Sequence, residues 1–173
     1  MNIPIVATPR LTLRGLNLED TDPLYTLWNS PEVSQYFPNT SPPKIETVQN
    51  IIKYQFTMWE KYGCGWWAMI LSTSAELMGW CGLQYLPETD ETEVGYLLGQ
   101  SFWGHGYATE AALASVTYGF KTLGLNEIIG IVHPENKASI HVIDKLGMTY
   151  VDRTYYFGMI VLRYRIHRPL TTE

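Results

Sequence analysis

The sequence predicts an α+β fold, one domain over residues 1–173 built on a mixed, mostly antiparallel sheet of about seven strands with helices packed on it. Three observations carry the prediction. Near the N-terminus "RLTLRGL" alternates, with Leu11 and Leu13 on one face and Arg10, Thr12 and Arg14 on the other, as a half-buried strand does. After Gly65 come "WWAMIL", "ELMGWCGLQYL" and "TEVGYLLG", three aromatic and aliphatic runs separated by "STSA" and "PETDE", which read as consecutive antiparallel strands. In the second half, segments of helical spacing alternate with strand-like runs, and no linker, repeat or low-complexity segment divides the 173 residues.

Taken in order, the first strand is followed by "LEDTDPLYTLWNS", where Pro23 near a first turn and a Leu24, Leu27 and Trp28 stripe predict a short helix. "SPPKIETVQNIIKYQFTMWEKYG" places Ile45, Val48, Ile51, Ile52, Phe56 and Trp59 at helical spacing and stops at Gly63. The three strands come next. "YATEAALASVTYGFKTLGL" then lines Ala111, Ala112, Ser115, Val116 and Gly119 along one side of a helix, small residues that permit close packing on a sheet. "NEIIGIVH" is a buried strand, "NKASIHVIDKLG" a helix with Ile140, Ile143 and Leu146 inward, and "MTYVDRTYYFGMIVLRYRIHR" two closing strands.

Composition excludes several classes. A formal charge of -5 argues against a nucleic-acid partner held by a broad basic surface, and favours a cationic substrate. The start "MNIPIVATPRLTLRG" lacks the charged head and apolar core of a signal peptide, and no apolar run is long enough to cross a bilayer, so the expectation is a cytoplasmic protein without a membrane partner. Cys64 and Cys81 are too few for a disulfide framework, and with histidines scattered at 105, 133, 141 and 167 no metal site is predicted. Nothing in the sequence specifies an oligomeric state.

The stretch "QSFWGHGYA" is the most informative one. A strand ending at Gln100 and a helix beginning near Tyr107 leave Ser101 to Gly106 to turn the chain, so backbone amides point along the new helix axis, where anions are attracted. Gly104 and Gly106 let the main chain approach a phosphate closely, and successive amides form a nest for its oxygens. The loop from Trp103 and His105 to Tyr107, Ala108 and Thr109 is therefore the expected seat of a pyrophosphate, against the alternative of an ordinary tight connection. A dinucleotide fingerprint needs a third glycine where Thr109 stands, and a P-loop needs a Gly-Lys-Ser/Thr that is absent.

This segment resembles the coenzyme A loop of the GNAT superfamily of N-acetyltransferases, Gln/Arg-x-x-Gly-x-Gly/Ala, with Gly106 and Ala108 in the last two places and Trp103 where Gln or Arg is usual. An aromatic there is similar to the RimJ/RimL-type branch, the ribosomal-protein N-terminal acetyltransferases and their relatives. The likeness extends over nearly the whole chain, through "TPRLTLRGL" with "EDTDPLYTLWNSPEV", "EVGYLL", "WGHGYATEAA" and "HPENKASIHVIDKLGM". It implies a sheet with helices on both faces, splayed between its fourth and fifth strands to admit acetyl-CoA as acetyl donor. It also implies that the amides of Leu97 and Leu98 hold the pantetheine arm and that an amide of the same strand meets the oxyanion.

Acetyl transfer to an amine needs a base, an aligned thioester and a donor for the leaving thiolate. Glu93, two residues before Gly95 and on the same strand face, is one base, and its bland alternative is a solvated glutamate in the acidic stretch "ETDETE". Glu88, Asp90 and Glu91 beside it would help to attract a cation, and loss of Glu93 would be felt most at low pH. His133 is the rival base, or a turn residue before Pro134. Much of the superfamily donates to the thiolate from a helix tyrosine, but Ile143 stands at that place. Ser139 falls where the resemblance implies a serine beside the cofactor sulfur, and Asn136 where it implies a pantetheine contact, a role compatible with capping its helix. Trp28, Tyr36, Phe37, Trp66 and Trp80 are candidates for the acceptor groove, most aromatics being core.

The resulting expectation is acetyl transfer from acetyl-CoA to a primary amine by direct attack, the N-terminus of a protein or peptide being one acceptor and a small-molecule amine another. A non-catalytic acetyl-CoA-binding module would keep the loop but lack a base and acid. A structural interaction domain would leave the loop unexplained.

Overall fold

The alternation of "RLTLRGL" becomes β2 (Leu11–Gly15), in which Leu11 and Leu13 are fully buried. An edge strand too short to carry a period-2 signal, β1 (Val6–Ala7), pairs antiparallel with it, so the sheet has eight strands where the sequence predicts about seven. The computed structural model describes residues 2–38 and 42–169; residues 39–41, inside "FPNTSPPK", lie outside the described residues.

After β2, Asn17 caps a 3-10 turn at Leu18–Asp20, and buried Asp20 accepts two bonds from Arg14 at 2.7 and 2.8 Å. The chain then forms α1 (Thr21–Trp28), one further turn α2 (Pro31–Ser34), and α3 (Ile45–Tyr62), which ends at Gly63 in the left-handed region. The meander is β3 (Trp66–Leu71), β4 (Glu76–Leu86) and β5 (Glu91–Leu98). The rest is α4 (Tyr107–Lys121), β6 (Glu127–Val132), α5 (Lys137–Lys145), β7 (Thr149–Tyr156) and β8 (Met159–His167). Strand order is β1-β2-β3-β4-β5-β6-β8-β7.

Helices cover both faces because the strands are apolar on both. One face packs Leu24, Trp28, Val48 and Ile52 of α1 and α3 on Ala68, Trp80 and Leu97. The other packs Ala111, Ala112 and Val116 of α4 on Leu11, Met69, Cys81, Leu83 and Val94. The small residues of α4 set this distance: a Cβ on Gly119 would come within 2.7 Å of Ile128 and 2.8 Å of Leu83.

All neighbouring strands are antiparallel except β5 and β6, which run parallel and share one registered pair, Glu93 opposite Ile129. Beyond that pair the ladder stops and a cavity of about 850 Å³ opens, lined by Val94 to Leu98 on one side and Ile131 and His133 on the other. This is the splay between the fourth and fifth of the predicted strands. Among the described residues no helix is long and apolar enough to cross a membrane.

Candidate active site

The glycine loop borders this cavity. β5 ends at Leu98, two residues before the predicted Gln100, and Gln100–Phe102 forms a 3-10 turn. Gly104 (φ +80°) and Gly106 (φ +78°) are both left-handed, and a Cβ on Gly104 would meet nothing within 4 Å. Gly106 caps α4 without a side-chain bond, so the first amides of the helix have neither intrahelical partners nor a capping oxygen. Trp103 has its indole N–H committed to the Leu98 carbonyl at 2.7 Å, which ties the loop to the end of β5.

Leu97 and Leu98 differ in what they offer. The Gly99 amide donates to the Met78 carbonyl, which makes Leu98 and Gly79 a non-hydrogen-bonded pair of the antiparallel ladder. The Leu98 N–H therefore turns away from β4, towards the gap. The alternate residue Leu97 turns its N–H to β4 and buries its side chain beside Trp80. Of the two amides expected to hold the pantetheine arm, that of Leu98 faces the gap, as does that of Tyr96 in the same parity, and that of Leu97 is turned to β4.

Strand alternation divides the rest of the site between the two faces of β5. Glu93, Gly95 and Leu97 share the face of α1 and α3; Val94, Tyr96 and Leu98 share that of α4. Glu93 is not a solvated strand-end carboxylate. It lies across from Gln84 in the cavity wall, and burial pushes its carboxyl up from an ordinary 4.5 to about 8. Its acidic neighbours do not join it: Glu91 is bound by Arg163 at 2.9 Å and by the Tyr156 hydroxyl, and Asp90 accepts from Tyr85 at 2.8 Å.

His133 also reaches the cavity, its ring 5.3 Å from that of Tyr36. Its Nδ1 accepts the Glu135 amide at 3.2 Å, so the neutral ring carries its proton on Nε2 and has no free lone pair for a substrate proton. Asn136 caps α5, its Oδ1 accepting from the Ser139 amide at 3.1 Å. Ser139 sits in that first turn with Oγ 2.7 Å from the hydroxyl of Tyr96, a residue the sequence reading does not select. Alternation gives the face of Tyr96, but its approach to a helix 43 residues away depends on the gap in the sheet.

The candidate groove aromatics do assemble. Trp66 and Trp80 stack with centroids 3.6 Å apart and planes 3° from parallel, Trp28 lies 6.0 Å from Trp80, and Phe37 lies 5.7 Å from Trp28. A Cβ on Gly95 would touch the Trp80 ring at 3.4 Å. Buried Cys64 and Cys81 are no nucleophiles: burial pushes their thiols up to about 11 and about 12.

A glycine turn at an uncapped helix start, a slot through the sheet and a carboxylate beside it are the parts that an acyltransferase with a long acyl donor needs. Residues 10–149 match the family model described as "Acetyltransferase (GNAT) domain", and the chain belongs to that family: it is an acetyl-CoA-dependent N-acetyltransferase. It is 35% identical over 141 residues to the uncharacterized N-acetyltransferase p20 of Bacillus licheniformis, covering 81% of this chain and 79% of that protein. The crystal structure of an acetyltransferase from Agrobacterium tumefaciens superposes with a TM-score of 0.86 at 30% identity, over 97% of this chain and 96% of that one. RimL, a ribosomal L7/L12 alpha-N-protein acetyltransferase in complex with coenzyme A, shares the fold with a TM-score of 0.81 at 16% identity, covering 95% and 98%.

The residues present fit acetyl-CoA. The uncapped start of α4 and the left-handed glycines suit a pyrophosphate, and the outward Leu98 amide suits the amide-bearing arm. When bound, the donor supplies a thioester carbonyl.

Proposed function

We propose that the chain, as one acetyltransferase unit of the RimJ/RimL type, acetylates a primary amine that enters from the α1 and α3 face, with Glu93 as base and Ser139 as donor to the departing sulfur. The observation that carries this reading is the disposition about β5: Glu93 lines the cavity from one face of the strand, and Ser139 approaches it from α5 beside the opposite face. Direct attack needs the amine and its base at one face of the thioester carbonyl and a donor within reach of the sulfur, two places that these residues can serve without competing for the same space. Glu93 takes the amine proton, an amide of β5 that faces the gap meets the developing oxyanion, and Ser139 stabilises the sulfur. The buried thiols, neither of which ionises near neutrality, favour direct attack over an acyl-enzyme.

Two acceptor classes fit the family. The RimL neighbour acts on a protein N-terminus, and its shared fold supports that acceptor here. The stack of Trp66 and Trp80 near Gly95 supports a second reading, a small amine with an apolar body. Thiol release from acetyl-CoA, measured with peptides of free N-terminus, alkylamines, arylalkylamines and polyamines, tests both. Acetylation of at least one class is expected, and cofactor binding without turnover on any of them would favour a binding module.

A further inference from the structure

The geometry points to Tyr96 as a positioning residue for the leaving sulfur, a phenol on β5 that orients the Ser139 hydroxyl across the gap in the sheet. The inference rests on the role proposed for Ser139 and extends it. Tyr96 lies on the α4 face with its ring against the core there. Its Oη is 2.7 Å from Ser139 Oγ and 3.2 Å from Ser139 O. Ile143, one turn beyond Ser139, is buried and presents only hydrocarbon. The helix offers no hydroxyl at Ile143, and the strand brings that of Tyr96 to the side of Ser139 instead.

A phenol has one proton to give. If it goes to the Ser139 carbonyl, the serine hydrogen is drawn to Tyr96. If it goes to Ser139 Oγ, the serine hydrogen is free to point into the cavity that both residues line. A departing thiolate selects the second arrangement, because only that one gives sulfur a donor, and the two bonds then polarise each other in the same direction. Burial pushes the Tyr96 phenol well above its ordinary value of 10, so it acts as a donor throughout the working range.

In the transfer the N–C bond forms and the C–S bond breaks, its electron pair passing to sulfur. Ser139 Oγ–H donates a hydrogen bond to that sulfur, water supplies the proton of the free thiol, and the amine proton leaves through Glu93 to solvent. Neither hydroxyl loses its own proton.

The test is the titration of the coenzyme A thiol bound to the enzyme, read by thiolate absorbance with desulfo-coenzyme A as blank. It is run on wild type, Tyr96→Phe, Ser139→Ala and the double variant, beside kcat and KM for acetyl-CoA. One hydrogen bond's difference predicts a bound-thiol pKa about 0.5 to 1 unit higher in Tyr96→Phe, higher still in Ser139→Ala, with no further rise in the double variant. kcat falls about 3- to 10-fold in Tyr96→Phe while KM for acetyl-CoA stays within about twofold. A wild-type titration for Tyr96→Phe, or an effect undiminished in the Ser139→Ala background, overturns the role of Tyr96 and leaves that of Ser139 standing. A wild-type thiol pKa and rate in Ser139→Ala overturns both.

Discussion

Arg10 and Glu110 are joined twice, the Arg10 backbone N–H donating to Glu110 Oε1 at 2.8 Å and its Nε to Oε2 at 2.7 Å. The same guanidinium donates through Nη1 to the His105 carbonyl at 2.9 Å and lies 4.5 Å over the Tyr107 ring. The residue before β2 thus holds the glycine loop on both sides of Gly106. Burial alone would raise the Glu110 carboxyl, but the bonds from Thr8 and Arg10 outweigh it and hold the group below its ordinary range.

Glu110→Gln should therefore loosen the loop, weakening coenzyme A about 3- to 10-fold and lowering stability at neutral pH by about 0.5 to 1 kcal/mol, because the pair is partly exposed and screened by solvent. Because the folded-state carboxyl is depressed, its contribution is present above the ordinary carboxylate pKa and is lost as pH falls through the folded value. The melting temperatures of wild type and variant should converge in acid. A gap that persists there would show that the carboxylate charge is not what holds the loop.

Gly106→Ala should cost about 1 to 2 kcal/mol, since φ is +78° and the left-handed region is strained for any residue with a Cβ. Gly147→Ala is the control, with φ +74° beyond the last turn of α5. Both variants lose stability, but only the first should lose affinity in calorimetry with coenzyme A, and equal binding by the two would remove Gly106 from the phosphate site.

Local pattern made the helices and the meander legible, because burial on one stripe or both faces leaves its period in the sequence. β1 and α2 were illegible because two and four residues carry no period. Among site residues, Asn136 as a cap and the Gly106 turn are local events and follow from local sequence. The elevated Glu93 carboxyl, the Tyr96 contact with Ser139 and the Arg10 latch are not, since each joins elements that only the sheet order brings together. The acidic run "ETDETE" misleads for the same reason: Arg163, on β8, binds Glu91.

Trp66→Ala should act on the acceptor alone. The indole stacks on Trp80 at 3.6 Å and lines the cavity, packed with the α1 and α3 cluster on the sheet face that Glu93 shares. Aromatic contacts of this kind are worth about 0.5 to 1.5 kcal/mol beyond area burial, which predicts an acceptor KM about 2- to 10-fold higher. KM for acetyl-CoA should stay unchanged in initial-rate measurements. A rise in both constants together would assign Trp66 to the fold and not to the groove.

Glu93→Gln separates the base from its rival through pH. Burial places the wild-type carboxyl at about 8, so in mild acid it is protonated and accepts nothing. The low-pH loss expected from sequence therefore moves upward: the wild-type rate climbs through about pH 8, and the variant lacks that step. The deficit, about 100-fold or more for a lost general base, should be widest from about pH 8 to the acceptor's own pKa, near 10 for an alkylamine, and narrow in acid. Stability carries the same signature. An unfolded glutamate titrates near 4.5, so between that value and about 8 the folded state holds a proton the unfolded chain has lost, and wild-type stability falls as pH rises across this window. The variant, with no charge to bury, should melt above wild type at about pH 9 and lose that advantage below about pH 4.5. If Glu93→Gln keeps the wild-type pH–rate profile, proton removal passes to His133, which would first have to release the Glu135 amide from Nδ1 or shift its proton from Nε2.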